Sequence, residues 1–236
     1  MKKHILAIMS IFLLSLPPEA LALYFTGGTN YVGVPLATAE PTVAITLMGW
    51  AYSTTTASGQ GVVGRTISSG GPGPYYLSIQ TTGNIRFSLR TSAVTNFTTD
   101  NTPFTADRWY HLAGTWDGST MNIYINGLFS TSTAKTGTLS TATVGTVIEI
   151  GKQGVGSNSP MQGHIADVRI YNRALTAAEI RNIYYTGSAR SIRGGLLLHM
   201  PLWTLPAFDI SGQQRHGTST SGIMMGGLPP IGRYRR

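Results

Sequence analysis

The sequence predicts an all-β protein, a sandwich of two antiparallel sheets, on three observations. The first is the stretch from Arg108 to Phe129, which reads as three short strands on two tight turns. Trp109 to Trp116 is aromatic and apolar, Asp117-Gly118 supplies a turn, Met121 to Ile125 alternates apolar with polar, and Asn126-Gly127 is the strongest short hairpin signal. The second is the abundance of turn formers: 29 Gly and 12 Pro in 236 residues interrupt the chain too often for long helices. The third is that helical periodicity is confined to two short segments. A meander of this kind needs a second sheet to cover it, so one sandwich with terminal extensions is the economical domain count.

Composition bounds the function classes. A domain of this size buries enough surface to stand without staples. The absence of Cys removes disulfides, thiolate metal sites and a Cys nucleophile together. Only 11% of residues are charged, and the balance is +8. A basic surface favours acidic glycans, nucleic acid or anionic envelope components. The bases, however, are spread as single Arg residues, without the clustered stripe of a nucleic-acid binder, so no specific nucleic-acid partner is expected.

In chain order, Met1 to His4 is a basic start, Ile5 to Leu16 an apolar run, and Pro17 to Ala22 ends in an Ala-Leu-Ala pattern. Residues 1–22 are therefore expected to be a secretory signal peptide cleaved after Ala22, placing the protein outside the cell or on its surface. The alternative is a hydrophobic arm that docks on a partner. No later segment has the length and apolarity of a transmembrane helix.

Strands follow from Leu23. Tyr24 to Val34 reads as strand, Gly27-Gly28 turn and strand; Val43 to Tyr52 and Gln60 to Ile67 are further strands, with Trp50 assigned to the core. Ser68 to Pro74 is a loop, and Tyr75 to Gln80 and Asn84 to Arg90 form a hairpin across Thr81-Thr-Gly-Asn84. Alternation puts Ile85, Phe87 and Leu89 on one face of that hairpin and Arg86, Ser88 and Arg90 on the other. With matching register Tyr76, Gln80, Arg86 and Arg90 would share one exposed patch, joined by Tyr75 at the loop. An aromatic plate beside guanidinium and amide donors suits a sugar, an acidic one above all. The same pattern also fits the plain wet face of an antiparallel sheet.

Beyond the meander, Thr131 to Thr146 reads as loop and edge, Val147 to Gly151 as a strand, Lys152 to Pro160 as a Gly/Ser/Asn loop of the kind that carries binding, and Gln162 to Tyr171 as a strand. Leu175 to Tyr185 is the convincing helix. Thr176 is a good N-cap, Glu179 three residues on completes a capping box, Gly187 stands where a C-terminal glycine belongs, and Ile180, Ile183 and Tyr184 form one stripe.

These residues carry a family resemblance. Trp109-Tyr-His-Leu-Ala-Gly-Thr-Trp-Asp-Gly118 with Ile123-Tyr-Ile-Asn-Gly127, and Gly163-His-Ile-Ala-Asp-Val-Arg-Ile-Tyr-Asn-Arg-Ala-Leu-Thr-Ala-Ala-Glu-Ile180, closely resemble the laminin-G-like and pentraxin-like group of concanavalin A-type jelly rolls over residues 23–187. The resemblance implies a two-sheet antiparallel jelly roll, a secreted or surface location, and binding of glycans or proteins. It also implies a structural calcium ion held between an acidic residue of the late strand, here Asp167, and backbone carbonyls near the early turn, here Gly27 and Gly28. Where many members carry further acids at that turn, this chain has Thr26 and Asn30, whose neutral oxygens weaken a site for a hard cation. The other expectation for Asp167 is a buried, hydrogen-bonded carboxylate.

Residues 188–236 form a basic linker and an extension. Leu196 to Trp203 with Phe208 to Gly217 resembles the opening strand of a further domain of the group, and none follows. That strand either folds back on the first domain or pairs with another chain; closing an edge within the chain is the default.

A hydrolase needs two carboxylates near one another. After the signal, the acids are Glu40, Asp100, Asp107, Asp117, Glu149, Asp167, Glu179 and Asp209, and no two share a strand face at i, i+2. Glu149 alone is left on a plausible sheet face. His111, His164, His199 and His216 lack metal-ligand spacing, and no nucleophile elbow is present. No catalytic residue and no required cofactor are therefore expected. The sequence reads as a secreted, non-catalytic module that binds glycan or another surface polymer through Tyr75, Tyr76, Gln80, Arg86 and Arg90. A structural or assembly protein of a surface, filament or virion is the rival reading, with the terminal segments as its contacts, and a polysaccharide hydrolase the third.

Overall fold

A computed structural model describes residues 22–35, 41–65, 73–91, 94–100, 104–140, 147–153, 159–187 and 192–226. The signal-like segment before Ala22, most of the loops at 66–72 and 154–158, the linker at 188–191 and the basic terminus from 227 lie outside the described residues.

Two sheets face each other. The first runs in the order β10 (Leu128–Ala134), β9 (Thr120–Ile125), β8 (Trp109–Trp116), β3 (Ile45–Ser53), β14 (Gln162–Tyr171), β1 (Ala22–Thr26) and β17 (Ile223–Gly226), and β15 (Leu196–Met200) also pairs with β14. The second runs β16 (Thr218–Ser219), β2 (Val32–Pro35), β11 (Val147–Ile150), β4 (Gln60–Arg65), β5 (Tyr75–Ile79), β6 (Ile85–Thr91) and β7 (Val94–Asp100). A short ribbon joins β12 (Lys152–Gln153) to β13 (Ser159–Pro160). Every pairing within the two sheets is antiparallel.

The core lies between the sheets, where inward residues at period two meet: Phe25, Leu47, Leu112 and Ile123 from the first, and Val34, Leu77, Phe87 and Ile148 from the second. Gly114 of β8 is part of this fit, because a Cβ there would stand 2.4 Å from Cγ of Phe87. Gly27 and Gly28 adopt φ of +85° and +73°, a left-handed turn that carries the chain from β1 in one sheet to β2 in the other.

The central meander forms as the sequence predicts, with Asn126 and Gly127 both at positive φ in the β9–β10 turn. The helix, α1 (Ala177–Thr186), has the predicted capping box: the Thr176 hydroxyl accepts from the Glu179 amide, and the Glu179 carboxylate accepts from the Thr176 amide. Gly187 closes its C-terminus at φ +61°. Two segments differ from the sequence reading. The third strand of the meander runs on through Leu128–Ala134, so that Thr131–Ala134 is strand rather than loop and edge, and Val94–Asp100 adds an unpredicted strand against β6. Its Thr- and Asn-rich sequence carries little apolar signal, and hydrogen bonding to β6 supplies what periodicity lacks. The C-terminal strands pair within the chain: β15 with β14, β16 with β2, β17 with β1.

Candidate functional site on the outer sheet faces

The outward face of the second sheet follows from the β5–β6 register. Tyr76 stands opposite Ser88 and Ser78 opposite Arg86, while Tyr75, Leu77 and Ile79 stand opposite Leu89, Phe87 and Ile85. The predicted alternation therefore holds: Ile85, Phe87 and Leu89 enter the core, and Arg86, Ser88 and Arg90 point away from it. Tyr76 sits between the two arginines on the neighbouring strand, and Gln80 lies beyond Ser78, to whose Oγ its Nε2 donates at 2.7 Å. Tyr76, Gln80, Arg86 and Arg90 thus share one face.

Two corrections accompany this. Tyr75 belongs to the opposite face; it is 1% exposed in the core, because an odd step along β5 turns a side chain inward, and it is not a ligand contact. Nor is the patch an open, wet surface. Tyr76 and the serines are buried, whereas Gln80, Arg86 and Arg90 are half-buried. What the face presents is amide and guanidinium groups over a buried tyrosine.

Glu149 extends the same face, since it pairs across β11 and β4 with Gly64, which in turn stands opposite Tyr76. It is 5% exposed. The other described carboxylate side chains have assigned partners elsewhere. Asp107 accepts from Tyr52, Asp117 from the Ser119 and Thr120 amides of its turn, Glu179 from Arg173, and Asp209 from the His199 and Ser211 amides. Among the described side chains, none joins Glu149 to form a two-carboxylate arrangement.

Asp167 lies on the first sheet, at a bulge in β14 where pairing to β3 skips from Ala166 to Arg169 and Asp167 itself takes φ +51°. The bulge falls where β1 ends its pairing with β14 and β15 begins. It turns the carboxylate onto the outward face, where Arg169 Nε and Nη2 donate to its two oxygens at 2.8 Å each and His199 Nε2 lies 2.7 Å from Oδ1. Burial pushes the Asp167 carboxyl up, but Arg169 and His199 outweigh it and hold the group below the usual carboxylate range.

Gly27 and Gly28 stand elsewhere. Thr26 pairs with Gln162, so the glycine turn lies five residues of strand away from Asp167, about 16 Å at ~3.3 Å per residue. The expected calcium constellation is therefore not brought together. A single carboxylate already neutralised by a fork-like Arg169 pair does not fit a cation that prefers several charged oxygens.

Under α1, the outward face of the first sheet is a second, smaller core of Met48, Ala113, Tyr124, Tyr171, Leu175, Ile180, Ile183 and Leu196, with Trp50, Ala166 and Ala22 beside it. His111 is packed here with no exposure, 5.4 Å from the Trp50 ring, and neither ring nitrogen has a hydrogen-bond partner. Burial pushes its pKa down to about 4, and the Asp167 charge offsets this only in part.

Past the reach of the helix, cross-strand register assembles a row that no local pattern shows. Trp109 of β8 stands opposite Tyr52 of β3, Tyr52 opposite His164 of β14, His164 opposite Tyr24 of β1, and Tyr24 opposite Met224 of β17. All four rings are half-buried. The sequence marks each ring merely as a strand residue, because the paired residues are separated by up to 200 positions and meet only through pairing.

Comparison with known proteins places this geometry. No curated protein matches the chain. Among solved structures, it is similar to a Bacteroides ovatus protein proposed to bind carbohydrate (TM-score 0.70, 17% identity, covering 89% of this chain and 60% of that one). It is also similar to the heptameric SAP-like pentraxin of Limulus polyphemus (TM-score 0.66, 15% identity, 93% and 100%). A third likeness is to the CBM40 module of a Ruminococcus gnavus IT-sialidase bound to α2,3-sialyllactose (TM-score 0.55, 13% identity, 68% and 96%). The chain spans 60% of the Bacteroides ovatus protein's length, and at these identities the likenesses establish the fold. A family model matches residues 26–181, from the first strand into the helix, and by that match the chain belongs to the concanavalin A-like lectin/glucanases superfamily, in its laminin-G branch.

Proposed function

We propose that this protein is an exported, non-catalytic module that binds an acidic glycan on the outward face of its second sheet. The observation that carries the reading is the β5–β6 register, which sets Arg86, Arg90 and Gln80 around Tyr76 on one face. Guanidinium groups bind carboxylate or sulfate in a planar, two-point fashion, and an amide satisfies hydroxyls. The net charge of +8 favours approach of such a polymer. The carbohydrate role proposed for the Bacteroides ovatus relative and the sialyllactose bound by the CBM40 module are in keeping with it. Among the described side chains Glu149 is the one carboxylate on this face, which supports binding over hydrolysis, a reaction that calls for a carboxylate pair.

The test is calorimetric titration with 3′-sialyllactose, a sulfated disaccharide and neutral lactose. Binding of an acidic sugar that weakens at high salt and falls at least tenfold in Arg86→Ala/Arg90→Ala is expected. Equal binding in that variant, or none of any acidic sugar, would refute the assignment. Export is tested by intact mass from the native cell, with Leu23 expected as the first residue. Cleavage there removes one residue, Ala22, from the start of β1.

A further inference from the structure

We propose that the side of the sandwich built by residues 205–226 rests on an anionic lipid bilayer, with apolar side chains in the headgroup region and arginines against the lipid phosphates. This surface is separate from the arginine face of the second sheet and does not depend on it.

Register brings the surface together. β14 has β3 along one side; along the other it pairs with β1 over residues 162–165 and with β15 from Val168 to Tyr171. β17 lies outside β1. Asp209 and Ile210 lie outside β15 in the same way, since the His199 amide donates to Asp209 Oδ1 and the Ile210 amide to the His199 carbonyl. β16 edges the second sheet against β2, and the chain crosses from it to β17 with the Thr220 amide donating to the Tyr31 carbonyl. One continuous segment therefore walls one side of both sheets.

What this wall exposes is apolar. Ala207 and Asp209 are buried, so alternation turns Phe208 and Ile210 outward, 46% and 43% exposed. Leu205 precedes them, and Met224 and Met225, 51% and 43% exposed, continue the edge on β17. These five are more than half of the large hydrophobic side chains left exposed among the described residues. Scattered single hydrophobics are ordinary on a surface, whereas five along one segment mark a contact. The contact is also preformed. Asp209 accepts from the His199, Ser211 and Arg215 amides and from the Ser211 hydroxyl, which fixes the loop carrying Phe208 and Ile210 and limits the ordering lost on binding.

Charge identifies the occupant. Residues 23–187 carry nine Lys or Arg against seven acids, which is near balance. Residues 188–236 carry Arg190, Arg193, Arg215, Arg233, Arg235 and Arg236 against Asp209 alone, and that carboxylate is buried among its donors. Five of the eight net positive charges thus fall in the segment that supplies the apolar wall. Arg215 stands in the loop itself, and the chain that continues from Gly226 holds three more arginines in its ten residues. A second copy of the protein would set these like charges against one another. A bilayer with anionic lipid attracts them, and it admits apolar side chains to a depth of about 5–10 Å at the headgroup boundary.

The test uses the exported chain, Leu23 to Arg236, so that the apolar leader contributes nothing. Its probes are vesicles of phosphatidylcholine containing about one third phosphatidylglycerol, beside vesicles of phosphatidylcholine alone. Sedimentation with the anionic vesicles is expected to be at least tenfold tighter than with the neutral ones, and to weaken at least tenfold in Phe208→Ser/Ile210→Ser. Both side chains are exposed, so the substitutions spare the core. On the unmodified protein, amide exchange is expected to slow on anionic vesicles within residues 205–210 and 223–226 and to stay unchanged in the β5–β6 hairpin. No sedimentation at millimolar anionic lipid would overturn the proposal. Equal binding by Phe208→Ser/Ile210→Ser would also overturn it, by reducing the attraction to net charge. A dimer in light scattering that dissociates in that variant and ignores vesicles would make a second copy the occupant instead. Arg86→Ala/Arg90→Ala should bind vesicles as the native chain does; vesicle binding lost there, or exchange slowed only in the β5–β6 hairpin, would transfer the contact to the other face. Sugar titration and vesicle sedimentation are separate readouts, so failure of either reading leaves the other standing.

Discussion

The two sheets present outward faces of opposite construction. That of the first sheet is largely sealed: α1 and the β14–β15 contact cover a buried ion pair, a histidine without hydrogen bonds and an apolar cluster, with Trp109, Tyr52, His164 and Tyr24 half-buried beyond them. On the second sheet, no described helix packs against the outward face, whose described side chains include arginine, glutamine, serine and Glu149 around Tyr76. The comparison sets a charged group sealed inside the fold against charged groups that lie on a sheet face. Arg169 is fully buried and spends two of its nitrogens on Asp167, whereas Arg86 and Arg90 are half-buried on a sheet face.

The sharpest way to break this contrast is to remove one member of the buried pair. Asp167→Ala leaves the Arg169 guanidinium uncompensated in a dry site and takes the partner from His199. A loss of about 3–5 kcal/mol in urea unfolding is expected. The arginine variant on the other sheet should lose markedly less, since its guanidinium groups are half-buried rather than fully buried. Similar losses in both would mean that the second face is as structural as the first.

Acid should distinguish the faces next. In the unfolded chain His111 takes a proton near its ordinary value of 6.5, whereas in the fold it resists until about 4. Between those values the unfolded state binds more protons, so stability falls as pH falls, and the decline ends below the folded value. The gap corresponds to about 3 kcal/mol at 1.36 kcal/mol per unit. His164, also pushed down, adds to the same slope. Asp167 and Glu179 act only at lower pH, because their stabilisation persists until the carboxylates begin to protonate. Denaturation curves from pH 7 to 5 therefore read the histidines. His111→Leu should flatten most of the slope, and its failure to do so would show that the buried imidazole is not what resists protonation.

Much of the fold was legible before any coordinates, and the reasons are local. Asn126-Gly127 dictates a hairpin, Thr176 with Glu179 dictates a helix start, and the alternation from Ile85 to Arg90 dictates which side of β6 faces the core. The candidate site was legible only in part. Alternation identified Tyr76, Gln80, Arg86 and Arg90, but carried Tyr75 along with them, since adjacency in sequence means opposite faces in a strand. The partners of Asp167 were hidden for a different reason. His199 reaches it because β15 pairs with the same edge of β14 as β1 does, a fact of topology that no motif encodes. The aromatic row was invisible on the same ground, being assembled from β8, β3, β14 and β1.

The smallest effect tests whether α1 acts as a cover for one sheet alone. The Thr176 hydroxyl accepts from the Glu179 amide, and Glu179 in turn binds Arg173, which holds its carboxyl down at about 2. Thr176→Ala removes the cap and leaves the Arg173 pair in place. A cost of about 1 kcal/mol follows from the cap alone, which is a drop of roughly 2–4 °C in Tm for a domain of this size. Loosening the helix should also loosen Tyr184 over Trp50, and amide exchange should quicken along β3 and β8 beneath it. The β5–β6 hairpin lies on the other sheet, so its exchange and its affinity for an acidic sugar should not move. Parallel changes on both faces would mean that the sandwich transmits the strain through its core, and that the two faces are a single coupled surface.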